Sequence, residues 1–159
     1  MVFVTLQNLA KMKKIKEIDL VNALNAIRDI LLKDDGILPK EYDGYAASFG
    51  PAIINSGLLP ALSFNTDIHK ASDKVRRFKF LKVLYKVIEP DVAVKEIKDN
   101  ALLEYTLNKA YSSYSPTARP GALGTLDKTA LNATKKRIME AAVAVKLAMR
   151  NFKHSDSES

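Results

Sequence analysis

The stretch Pro51-Ala-Ile-Ile-Asn-Ser-Gly57-Leu-Leu-Pro60-Ala-Leu-Ser-Phe64 is the least polar in the chain, and its reading decides the fold class. Its apolar residues do not alternate with polar ones as a half-buried strand requires, so it reads as helix. Gly57 and Pro60 interrupt it. Pro60 has no backbone N–H to donate, so the helix either kinks here or ends and restarts with Pro60 in the new first turn. The expectation is a broken, buried helix at the centre of a helical domain.

The flanks agree with that reading. Upstream, residues from about Thr5 to Lys33 read as a helix, because Leu20, Leu24, Ile27 and Leu31 recur on one face. Lys33-Asp34-Asp35-Gly36 ends it, with Gly36 suited to the left-handed position past a helix end. A short helix is expected from Pro39 to about Ser48, and Gly50-Pro51 then punctuates the chain, with Pro51 as the first residue of the next helix. Downstream, helices are expected over Ser72–Glu89, which Pro90 terminates, and from Asp91 to about Tyr111 in one or two pieces. Residues 112–124 hold two prolines, two glycines and three serines and read as a loop. A last helix is expected over Thr125–Lys153, capped by Thr125, with Leu131, Ile138, Ala142, Val145, Met149 and Phe152 as its apolar stripe. No segment alternates as a strand and none repeats. The fold class is therefore all-α: a single-domain helical bundle of about five to seven helices over residues 1–153, followed by a disordered polar tail, 154–159.

Composition narrows the setting. The 159 residues fit one domain. There is no cysteine, which excludes disulfides and thiolate metal sites. The apolar start Met1-Val2-Phe3-Val4-Thr5-Leu6 is too short for a membrane span, and its charge follows the apolar run rather than preceding it as in a secretory signal. A cytoplasmic protein with no membrane partner is expected.

The net charge is +7, and all of the excess lies in the second half of the chain, because residues 1–72 carry eight basic and eight acidic groups. Two helices concentrate it. Lys79, Lys82 and Lys86 fall within about 60° of one another on the Ser72–Glu89 helix. Lys128, Lys135, Lys146, Arg150 and Lys153 fall within a similar arc of the last helix, a row about 37 Å long if the helix is unbroken. That length suits a phosphate backbone better than a small anion. A merely solvated basic face and a surface for an acidic protein partner fit the same pattern.

Catalytic chemistry finds no support. His69 and His154 are the only histidines, and neither has neighbours that would make a triad or a metal site. Pro120-Gly121-Ala122-Leu123-Gly124-Thr125 opens a helix but lacks the Gly-Lys-Ser/Thr ending of a phosphate loop. Asp34 and Asp35 are adjacent in a loop and cannot face one another as acid and base. No cofactor is expected, no metal, and no enzymatic activity.

The apolar helix also carries a pattern. Tyr45 is followed by Pro51, Ile54, Ser56-Gly57-Leu58, Ala61-Leu62 and Phe64, and in the last helix Thr134-Lys135 opens a run that ends Lys146-Leu147-Ala148. This resembles the small subunit of the type III-B CRISPR effector, the Cmr complex. The chain departs from that pattern at Pro60 and in having Val143 where a tryptophan is usual. The resemblance implies a non-catalytic subunit that stacks in several copies, contacts other subunits of the complex, and lines the groove where target RNA pairs with crRNA. It carries over Lys135 and Lys146 as RNA-contacting residues. Arg150, Lys153, Lys128, Lys79, Lys82 and Lys86 join them on periodicity alone. The alternative is a helical protein-interaction module whose basic faces dock acidic partners.

Overall fold

Alanines share the buried helix faces with the large aliphatic residues. In the computed structural model, which describes residues 16–32, 34–64, 71–115 and 124–155, the first helix buries Ala23, Ala26 and Ile27 while Leu20 and Leu24 lie only half-buried. The last helix does the same with Ala141, Ala144 and Ala148. The two helices pack against each other, and small side chains on both let their backbones approach closely. The expected stripes were right in period but centred toward the larger residues.

Among the described residues there are six α-helices and no strand: α1 (Glu17–Ile30), α2 (Glu41–Ser56), α3 (Leu58–Phe64), α4 (Ala71–Ile88), α5 (Ala101–Ala110) and α6 (Lys128–Met149), with a 3-10 turn at Val94–Glu96. The all-α single-domain bundle expected from the sequence is what forms. α4 and α6 are its centre: α4 meets α1, α2, α5 and α6, and α6 meets α1, α2, α4 and α5. Ile27, Ile53, Leu62, Leu84, Leu102, Ile138 and Met149, drawn from all six helices, are fully buried.

Several boundaries differ from expectation. The region upstream of Lys16, where the first helix was expected to begin, lies outside the described residues. α2 runs unbroken through Gly50-Pro51, so Pro51 is an interior residue and not the start of a new helix. Its missing N–H would have bonded the carbonyl of Ala47, and both residues are exposed, so water can satisfy that carbonyl. The break falls at Gly57, whose φ of 89° and ψ of 165° lie in a region open essentially to glycine alone. A Cβ there would meet only Pro60 Cδ, at 3.7 Å. Backbone conformation, not close helix approach, is therefore what this glycine supplies. Pro60 sits in the first turn of α3, where its lack of an N–H costs nothing. The Asp91–Tyr111 segment is helical in α form only from Ala101. α6 begins at Lys128 and is capped by Asp127, not Thr125: the Asp127 carboxylate accepts from Ala130 N–H at 3.0 Å.

Two clasps close the bundle. Asp127 N–H donates to the Ala110 carbonyl at 2.8 Å, bringing the end of α5 against the start of α6. At the C-terminal end, Leu38 N–H donates to the Lys153 carbonyl at 2.8 Å and Ser155 N–H to the Leu38 carbonyl at 3.0 Å. The Ser155 hydroxyl accepts from Lys40 N–H, and His154 Nε2 lies 3.1 Å from Asp43 Oδ1. His154 and Ser155, expected in the tail, are thus tied to Leu38 and Lys40 before α2 and to Asp43 in its first turn, and residues 156–159 lie outside the described residues.

Candidate nucleic-acid interface

The basic residues of α4 divide by position. Lys82 Nζ pairs with Asp99 Oδ1 at 2.9 Å and is three-quarters buried. Lys86 reaches past the end of its own helix and donates to the carbonyls of Pro90 and Val92. An ammonium in that place satisfies carbonyls beyond the helix end and sits favourably against the negative end of the helix dipole. Of the expected row Lys79, Lys82 and Lys86, only Lys79 presents an exposed ammonium with no ion pair among the described residues. Two of the row's three ammonium groups are thus engaged within the fold. Angular position on a helix says nothing about what lies beyond its end, and the turn after α4 supplies partners the wheel could not show.

The face of α6 is different. Lys128, Lys146 and Arg150 are exposed, Lys135 is half-exposed, and none has a carboxylate partner among the described residues. All four fall within about 60° of one another and span about 33 Å of helix. Lys153 is exposed but lies beyond the helix end, inside the C-terminal clasp, so it does not belong to the row by helical register. The row also has a gap. Between Lys135 and Lys146 the same face carries Met139, Ala142 and Val143, and Val143 is 45% exposed. Two cationic ends thus flank an apolar middle.

Behind this face lies a charge cluster that sequence reasoning missed. Arg137 donates two hydrogen bonds to Asp19, Nη1 to Oδ2 at 2.7 Å and Nη2 to Oδ1 at 3.0 Å. Asp19 is 2% exposed, and Glu140 Oε2 lies 3.8 Å from the same guanidinium. The hydrogen bond to Asp19 holds the Arg137 pKa above its ordinary value, against the opposing effect of burial. The fork joins α1 to α6 and fixes the rotation of α6 about its axis, hence the direction in which the lysine row points. The two residues are 118 positions apart, and no spacing rule links them. Asp19 lies about 100° from the apolar stripe expected on α1, so the sequence carried no signal for its burial.

Among the described residues no three His, Asp or Glu side chains gather as a metal site, and no helix is long and apolar enough to cross a membrane. Residues 18–120 match a family model, that of the CRISPR-associated protein (Cas_Cmr5) family. No curated protein and no solved structure matches the chain. The match ends before α6, so Lys128, Lys135, Lys146 and Arg150 lie outside it, whereas Lys79, Lys82 and Lys86 lie within.

Proposed function

Because the chain belongs to the CRISPR-associated Cmr5 family, the small subunits of type III-B CRISPR complexes, we propose that it is a non-catalytic assembly subunit whose α6 face lines the groove holding crRNA and target RNA. Copies stack along that groove beside the other subunits of the complex. The observation that carries this reading is the set Lys128, Lys135, Lys146 and Arg150, aligned on one helix face with no carboxylate partner among the described residues. Such a face is electrostatically uncompensated until a polyanion covers it. Sequence specificity needs nothing from these side chains, since they contact phosphate while the guide reads bases. A cytoplasmic location follows from the same assignment.

A second reading is favoured by the apolar middle of the face. Met139, Ala142 and Val143 suit a protein neighbour better than phosphate, so part of α6 would dock another subunit. The two separate on substitution. With Lys135, Lys146 and Arg150 all changed to Gln, RNA-facing residues leave subunit co-purification intact and weaken target-RNA binding by the assembled complex. Loss of co-purification with unchanged RNA affinity of the remaining complex would assign the face to protein.

A further inference from the structure

A second surface has chemistry suited to nucleic acid, and it is not the lysine row. α2, α3 and α4 enclose a half-open cleft of about 200 Å³. Tyr45, Ser48, Ala52 and Ser56 of α2 form one side, Pro60 the end and Arg77 of α4 the other side, over a floor of Phe49 and Phe80. The floor is fixed: Phe49 and Phe80 are 3% and 2% exposed and meet edge to face at 5.6 Å between centroids. Tyr45 is held between Tyr42 and Phe80, at 5.9 and 6.5 Å. The Arg77 guanidinium carbon stands 5.4 Å from the Tyr45 ring centre.

We propose that this cleft takes an unpaired base of single-stranded RNA, stacked against the Tyr45–Arg77 pair, with its phosphate toward Arg77 and Lys74. The inference rests on the RNA-binding reading above and adds a site on a different face. Among the described residues the only charged side chain lining the cleft is a guanidinium, and no carboxylate lines it. Lys74, exposed, lies one turn before Arg77 on α4 and about 60° round the helix. A rigid aromatic ring and a guanidinium plane beside a cation are what sequence-tolerant base stacking uses. The rim hydroxyls of Ser48 and Ser56 offer polar contacts to a ribose or a base edge. The larger cleft between α4 and α5 shows the contrast: it is also aromatic, with Tyr85, Tyr105 and Tyr114, but two carboxylates, Glu96 and Glu104, line it against one ammonium, Lys98, so it favours phosphate less.

The test is an NMR titration of the isotope-labelled full chain with octauridylate and with an abasic oligomer of the same length and charge. The resonances of Ala52, Ala61 and the Arg77 side chain should move with octauridylate, and the abasic oligomer should bind about tenfold more weakly, because stacking is lost while charge is kept. Ser56→Phe, which adds bulk at an exposed rim position, should abolish the difference between the two oligomers while leaving the melting temperature unchanged. Equal affinity for the two oligomers, or shifts confined to α6, overturns the base site and leaves the lysine row standing. Shifts in the cleft with a flat salt dependence on α6 substitution would instead sink the row and keep the cleft. If Ser56→Phe spares RNA binding but breaks co-purification with other subunits, the cleft is a protein socket and the proposal fails.

Discussion

Among the described residues, Asp19 and Arg137 form the bidentate ion pair that ties the first helix to the last. A carboxylate 2% exposed requires its partner, and removing one member leaves the other's charge in a poor dielectric environment. Arg137→Met should therefore cost about 3 kcal/mol, in the range for breaking a buried pair, by urea unfolding. Asp19→Leu combined with Arg137→Met should recover most of that loss, since no charge is then stranded. A double variant as unstable as the sum of the singles would show that the fork contributes nothing beyond its separate parts. Tyr42 supplies a pH signature. Burial pushes its phenol from 10.0 up to about 12, with the charge of Arg76 opposing. A folded pKa above the unfolded one means stability is complete below pH 10 and is lost as pH rises from about 10 toward 12. The loss attributable to Tyr42 is roughly 2–3 kcal/mol. Tyr42→Phe should flatten that alkaline decline, and an unchanged profile would place its cause at Tyr85, Tyr105 and Tyr114, whose pKa values burial also raises.

At the scale of elements, the sequence separated cleanly into what period can specify and what it cannot. Helical class, the break near Gly57 and the core roles of Ile27, Ile138, Val145 and Met149 follow from apolar spacing and from glycine and proline chemistry. Pro51 misled because proline's bar on helix interiors is lifted when the orphaned carbonyl faces water, as at Ala47. The cap of α6 was placed at Thr125 because Thr is a good cap, yet Asp127 is a better one two residues on. Lys82 and Lys86 were grouped with Lys79 because a helical wheel omits the chain that follows the helix. That last point is testable. Lys86→Met should lower stability by about 1 kcal/mol, the scale of a helix-end interaction, while RNA binding by the complex stays the same. Weaker RNA binding with unchanged stability would return Lys86 to the interface.

For the whole molecule, two central helices, α4 and α6, hold the bundle together, and the outer face of α6 stays exposed. The family match covers the bundle up to residue 120, and the face proposed to meet RNA lies after it, so its role rests on charge and geometry rather than on the match. The most direct measurement is the salt dependence of target-RNA binding by the complex assembled with the wild-type chain or with Lys135→Gln, Lys146→Gln and Arg150→Gln together. An RNA-facing α6 predicts a log-log slope shallower by about 2 for each copy engaged, at about 0.7 per single-strand phosphate contact. Parallel lines for the two complexes would contradict it.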